Sequence, residues 1–483
     1  MSRTARAFIL ASIERYASLL INLCSTAILS RLLTPGEFGV VVMGFAATAL
    51  AEGVRELGGA SYVVQARDLD RETLRCVFTI SVGLTFLIAP VAYFLADPIA
   101  RFYQLPQLAD FLRVFALGFV LGPTTAPASA LMARNLAFAR RGAAVLIVTT
   151  VNAGACIAFA MHGLSYMSFA WAYVLCNAVS TVIYPLLLGD VSMFGVSFRD
   201  WRPVLTFGFF GGATRLLNIA GENAAFLVIG RFLSPSGIGL LFRAGTLVTF
   251  PERVLLGAAA AVALPVFSDE ARKGAPLGDR YVRAVEMLTA IYWPALVGIG
   301  LLAYPIVRLF LGPQWHETAI YVQIMAGAAM FNASMSLNYP VQVATGAIRM
   351  TPFLALFHAG TSLFCLALAA PLGPVAVACS VWVSVPVNVA ASVWLVHRVA
   401  PFSLRDLAGR LLRSGGLAVG AALGPLALIA AHGWRFDLPA LATALAIGLA
   451  GVGWIGALLM TRHPLLAAGL EFFRRARSRL AGD

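Results

Sequence analysis

The stretch RLLTPGEFG, residues 31–39, returns as RFLSPSGIG at residues 231–239. Arg31, Leu33, Pro35 and Gly39 recur as Arg231, Leu233, Pro235 and Gly239, without a gap. The echo extends to both sides. Arg15 matches Arg215, Ser18 matches Asn218, Asn22 matches Glu222 and, beyond the turn, Glu52 matches Glu252. A Pro/Gly turn can arise twice by chance. A turn with three matched polar positions before it and a matched glutamate after it reads as a duplication, so the chain is expected to fold as two related lobes.

The chain around this repeat is 483 residues long, 60% hydrophobic and only 12% charged, with a mean hydropathy of +0.84. A soluble protein carries about 25% charged residues. Apolar runs long enough to cross a bilayer core of about 30 Å recur along the whole length. Backbone groups in lipid must be satisfied within each segment, so these runs predict helices rather than the short alternating strands of a membrane barrel. Fourteen spans are expected, near 8–33, 38–64, 74–96, 110–132, 142–162, 164–188, 204–232, 237–262, 284–310, 317–342, 351–370, 373–397, 411–431 and 438–460. The spans at 351–370 and 411–431 carry the weakest signal, and twelve is the alternative count. Glu14 and Arg15 interrupt the first run and no small-residue cleavage site follows, so it reads as an uncleaved span rather than a secretory signal. The six cysteines and six histidines lack metal-ligand spacing, and no nucleotide or nucleophile motif is present; no cofactor, metal site or catalytic residue is expected.

Charge supports this map. If both termini face the cytoplasm, 24 of the 35 Lys and Arg fall on that side, five on the other (Arg31, Arg101, Arg231, Arg308, Arg435), and six within spans. Positive loops stay cytoplasmic, so the bias fixes the orientation. The net charge of +13 is therefore an inner-leaflet signal, with no nucleic-acid partner implied. The tail PLLAAGLEFFRRARSRLAGD fits a basic amphipathic helix on that leaflet, and VSFRDWRP at 196–203 fits a similar role. The implied division is a first lobe at 1–188, an amphipathic linker at 189–203, a second lobe at 204–397, and two further helices with a basic tail at 398–483.

Six spans separate the copies, so they share one orientation and the repeat is parallel. Positions 15, 18 and 22 are i, i+3 and i+7 on one helical face, as are 215, 218 and 222. Glu52, Arg55 and Glu56 form a second face, and Glu252 and Arg253 mark its counterpart. Charges within a span are costly and turn toward a bundle interior or a wet cavity. A matched cluster on the cytoplasmic side of centre is expected. Arg243 points about 80° away from Arg253 on a helix of 100° per residue and is set aside. The plainer alternatives are that Arg15 pairs with Glu14 or snorkels to headgroups, and that Glu52 and Arg55 form a self-satisfied pair near a helix end. The repeated turn itself reads as structural: Pro35, Gly39, Pro235 and Gly239 would make tight outer turns, with Arg31 and Arg231 capping helix C-termini.

SRLLTPGEFGVVVMGF, then ELGGASYVVQAR, then ALMARNLAFARR resemble the polysaccharide-transport (Wzx-like) flippases of the multidrug/oligosaccharidyl-lipid/polysaccharide exporter superfamily. The resemblance runs from about residue 5 to 400. It implies an all-α polytopic membrane protein with two six-helix lobes and two C-terminal helices. It also implies that the chain is a transporter rather than an enzyme, moving undecaprenyl-pyrophosphate-linked oligosaccharide across the bacterial inner membrane for O-antigen, capsule or exopolysaccharide export. Related lipid II flippases use a cationic central cavity. Arg15, Arg55, Arg215 and Arg253 are placed by helix and depth to form one and hold the pyrophosphate, with Ser18, Asn22, Glu52, Asn218, Glu222 and Glu252 as polar or coupling groups. The acids make it a mixed cavity.

Alternating access by rocking of the lobes is the mechanism this implies. Tyr16 and Trp293 could stack on sugar rings, although packing or interfacial anchoring is the commoner role. Coupling to a proton, to sodium or to the membrane potential stays open, with Glu222 the best-placed acid. A polysaccharide polymerase and co-polymerase are further candidate partners. The first rival is a drug/cation antiporter of the same superfamily, which the arginines disfavour. The second is a membrane polymerase or glycosyltransferase, which needs a larger outer loop than ADPIARFYQLPQLAD or LGPQWHET.

Overall fold

The computed structural model describes residues 3–66 and 68–466, and within helices all side chains except those of residues 3–12, 56, 210–211, 213–215 and 256–262. The chain divides into two compact units, Met1–Gly239 and Leu240–Asp483. Among the described residues it is helical throughout, with no strand. The first unit holds α1 (Arg3–Leu32), α2 (Pro35–Arg55), α3 (Ala60–Gln65), α4 (Arg71–Tyr103), α5 (Gln107–Val120), α6 (Thr125–Arg134), α7 (Phe138–Met161), α8 (Met167–Leu188) and α9 (Trp201–Ile229). The unit boundary falls inside α10 (Pro235–Pro251). The second unit continues with α11 (Gly257–Arg272), α12 (Leu277–Leu301), α13 (Ala303–Phe310), α14 (Thr318–Ala329), α15 (Asn338–Ala344), α16 (Thr351–Ala369), α17 (Pro374–Val399), α18 (Leu404–Ala431) and α19 (Ala440–Met460).

Among the described residues, ten helical segments are long and apolar enough to cross a membrane, eleven if the bent α5–α6 pair counts as one span. Both segments with the weakest sequence signal, α16 and α18, are among them. The chain is a multi-pass membrane protein.

The repeated motif does not make turns as expected. Pro35 and Pro235 open α2 and α10, and Gly39 and Gly239 sit inside those helices. Proline suits a helix's first position because its missing N–H has no partner there anyway. Thr34 and Glu37 add a reciprocal cap, with Thr34 N–H donating to Glu37 Oε2 at 2.8 Å and Glu37 N–H donating to Thr34 Oγ1 at 3.3 Å. Ser165 also donates to Glu37. The second copy keeps only the lighter cap, Gly237 N–H to Ser234 Oγ at 3.3 Å. The two motifs touch: a Cβ on Gly39 would strike the Pro235 carbonyl, and one on Gly239 the Pro35 carbonyl. Arg31 lies in the last turn of α1 as expected, whereas Arg231 lies just beyond α9, its guanidinium 6.0 Å from the Phe102 ring.

Four spans expected to be continuous are broken. In the first unit a 3-10 turn at Glu56–Gly58 separates α2 from α3, and α5 and α6 meet at a 51° bend. In the second, a π-helical turn at Glu252–Leu256 separates α10 from α11, and 3-10 turns at Met330–Leu337 separate α14 from α15. These are the second and fourth spans of each sequence repeat. The fourth spans share a packing device as well. Gly118 receives the Tyr173 ring and Gly327 the Trp382 ring, each pair the same 55 residues apart.

Small residues decide the packing in the first unit. Lipid offers no hydrophobic drive between helices, so close backbone approach matters. Gly53 of α2 admits Leu216 and Ile219 of α9, and Gly208 and Gly212 of α9 lie against Leu57. Thus α9, the first span of the second sequence repeat, packs within the first unit. The surrounding core is aromatic, centred on Phe111, Phe115 and Phe119. In the second unit a core of Phe267, Tyr281, Val285, Leu337, Val341 and Phe402 joins α11, α12, α15 and α17. Residues 189–200 contain no helix; Asp200 has φ +60°, and Val196, Phe198 and Trp201 are exposed beside Arg199 and Arg202. The sequence 467–483, expected to be an amphipathic helix, lies outside the described residues.

A candidate substrate cleft in the first unit

Pro123 interrupts the fourth span, because it lacks an N–H and disfavours helix in the residue before it. The bend frees the Leu121 and Gly122 carbonyls. In a membrane such groups must find partners. Thr181 of α8 donates to Leu121 O. Arg55, at the end of α2, donates Nη2–H to Gly122 O at 2.9 Å. Its Nη1 meets Glu52 Oε1 and Oε2 at 3.2 and 3.1 Å, and its guanidinium lies 5.8 Å from the Phe119 ring. Glu52 in turn accepts from the Tyr173 hydroxyl, whose ring stacks on Phe115 at 3.7 Å. One turn along α8, Asn177 donates to Tyr173 O at 2.9 Å. The second unit solves the same problem differently: Trp293 Nε1–H donates to Met330 O, where the tenth span breaks, at 2.6 Å. That bond gives Trp293 a packing role.

Glu52, Arg55 and Asn177 help to line a cleft of about 490 Å³. Glu52, Arg55, Ser61, Thr125, Ser129 and Asn177 contribute polar atoms, together with Tyr184 and Arg141. Arg141 is exposed and donates Nε–H to Ser129 Oγ at 3.3 Å. The Thr125 hydroxyl is buried without a partner among the described residues. Glu52 and Arg55 neutralise one another, so the cleft's net positive charge comes from Arg141. Hydroxyl, amide, carboxylate and guanidinium groups can together hold a polyhydroxylated headgroup, and the guanidinium can hold its anion bidentately.

The expected site residues are partly gathered. Glu52 and Arg55 form the ion pair that had been weighed as the plainer reading, and they also face the cleft. Arg15 is exposed on α1 with no hydrogen bond or ion pair among the described residues. Asn22 donates back to Ser18 O at 2.8 Å, while the Ser18 hydroxyl is buried without a partner among the described residues. Asn218 and Glu222 are exposed on α9. The side chains of Arg215 and Glu56 lie outside the described residues. Glu252 is half-buried and Arg253 exposed on the π-helical turn, with no ion pair between them among the described residues. Sequence reading missed Tyr173, Asn177 and Arg141. The first two are an i, i+4 polar pair in a largely apolar helix, which is a usable signal; Arg141 reads in sequence only as a positive loop residue.

A family model described as "Polysaccharide biosynthesis protein" matches residues 28–320. The teichuronic acid biosynthesis protein TuaB of Bacillus subtilis (strain 168) is 22% identical over 339 residues, 69% of this chain and 70% of that protein. The lipopolysaccharide biosynthesis protein WzxC of Escherichia coli (strain K12) is 23% identical over 63% of this chain and 62% of its own length. The lipid II flippase MurJ, in an inward closed conformation, is similar in fold, with a TM-score of 0.72 at 14% identity, covering 94% of this chain and 99% of that one. An inward-facing multidrug resistance MATE transporter of the MOP superfamily gives a TM-score of 0.61 at 16% identity, covering 82% and 99%. The fold is that of the MOP superfamily, and the chain belongs to the polysaccharide biosynthesis protein family.

Proposed function

We propose that this protein is a flippase that carries lipid-linked oligosaccharide across the bacterial inner membrane for surface-polysaccharide export. The observation that carries the reading is the polar cleft beside the broken fourth span, set in a MOP-type membrane fold of a polysaccharide biosynthesis family. The substrate class is undecaprenyl-pyrophosphate-linked oligosaccharide. Its lipid stays in the bilayer, its sugars meet the cleft's hydroxyl and amide groups, and its phosphates meet Arg141, Arg55 and Arg15. An unpaired phosphate in a low-dielectric site would be prohibitively costly, which is why arginine is the residue needed. Fourteen spans, two six-helix lobes with two extra helices, and cytoplasmic termini complete the reading. Broken spans at repeat-equivalent positions support alternating access, because irregular backbone within a membrane is tolerated where it is packed in protein or lines a cavity. A cation antiporter would want an unpaired acid in the cleft, whereas the acid there, Glu52, is held by Arg55 and Tyr173.

The test is export in a strain lacking its polysaccharide flippase. The intact protein should restore surface polysaccharide. Arg15→Ala, Arg55→Ala and Arg141→Ala should reduce it at equal membrane abundance. Undiminished export by all three variants, singly and combined, would overturn the assignment.

A further inference from the structure

The second unit holds a buried charge cluster that the proposed mechanism does not use. Glu286 of α12 and His463, three residues beyond α19, have side chains that are 1% and 0% exposed. Arg410 of α18 donates to Glu286 Oε2 at 2.6 Å and to Asp406 at 3.1 Å, which among the described residues leaves Glu286 Oε1 without a hydrogen bond. His463 Nε2 stands 3.6 Å from that oxygen and, among the described residues, also lacks a hydrogen bond. The other ring nitrogen is engaged, because Leu465 N–H donates to His463 Nδ1 at 3.2 Å. A nitrogen that accepts carries no proton, so the neutral ring bears its proton on Nε2, pointing at the carboxylate.

We propose that Glu286 and His463 form a proton-binding site that latches the chain leaving α19 onto α12 and α18. The ligand is one proton from solvent, taken at Nδ1. The new Nδ1–H faces Leu465 N–H, two donors without an acceptor, so that hydrogen bond is lost. The resulting imidazolium is retained by Glu286 Oε1 through Nε2–H. Leu465, which packs beside Ala290, Leu417 and Leu458, loses its backbone tether. Among the described residues, the charged groups that act on the site are Asp406, Arg410 and Arg413 of α18. Burial holds the imidazole below its ordinary value, Glu286 pulls it up and Arg413 pushes it down. The Leu465 tether is therefore made at neutral pH and lost as pH falls below the ordinary histidine range of about 6.5, while His463 itself stays held by Glu286.

The experiment measures hydrogen exchange at the Leu465 amide in the full chain in lipid nanodiscs, from about pH 8 to about pH 5, after correction for intrinsic exchange. Protection should fall at least about tenfold across a one-proton transition. In His463→Asn, Oδ1 takes the place of Nδ1 without titrating, so protection should be flat. In Glu286→Gln the transition should move to lower pH. A flat profile in the unaltered protein, or an unchanged step in His463→Asn, would overturn the proposal. A second measurement needs no variant: nitrogen chemical shifts of His463 at neutral pH should report the Nε2–H tautomer, and the Nδ1–H tautomer would refute it. None of these readouts depends on the transported substrate.

Discussion

Arg55 holds the Gly122 carbonyl at 2.9 Å with one arm of its guanidinium while the other arm holds Glu52. One side chain thereby completes the hydrogen bonding of a bent span and sets the charge of the adjoining cleft. Lysine has no fork and cannot do both. Arg55→Lys should therefore lower export at near-normal abundance. Arg55→Ala should also cost about 1–3 kcal/mol of stability, because a buried carbonyl loses a partner. Thermal unfolding in detergent, run beside the export assay, separates the two effects.

Tyr173 does two jobs that substitution can divide. Tyr173→Phe keeps the stack on Phe115 and loses the hydroxyl that steadies Glu52, at about 1.5–3 kcal/mol for a hydrogen bond to a charged group. Tyr173→Ala loses the packing too and should be several degrees less stable than Tyr173→Phe in the same melt.

The glycine contact between the repeated motifs is equally open to test. Gly39→Ala and Gly239→Ala each push a methyl into a backbone carbonyl that cannot swing aside. Each should cost about 1–3 kcal/mol. Gly154→Ala in α7, where nothing lies within 4 Å, should be neutral or stabilising by up to about 1 kcal/mol. Equal melting of all three proteins would contradict the close approach.

Arg141 is exposed and bonded only to Ser129 among the described residues, so Arg141→Ala should change stability by less than about 0.5 kcal/mol. Export should nevertheless fall, and Arg141→Lys should recover part of it, since the charge is retained but bidentate geometry is not.

Hydropathy and the positive-loop bias marked a polytopic helical membrane chain, because a span must be both long and apolar wherever it occurs. The repeat at one offset points to a duplication, because matched residues at one offset survive in sequence whatever the packing. Those signals are local or periodic, and they also located Glu52 and Arg55. What they could not reveal was decided by contacts between distant segments. The second and fourth spans of each repeat break, and the partner that repairs a break is chosen by tertiary neighbours: Arg55 for Gly122, Trp293 for Met330. The motif that looked like a turn proved to be two helix starts packed glycine against carbonyl, a contact between segments two hundred residues apart. Arg141 reads as a loop charge in sequence, and becomes a cleft residue only when α7 is packed beside α6 and α8. His463 likewise gains meaning only from Glu286, because a hydrogen-bond partner far along the chain leaves no pattern for periodicity to detect.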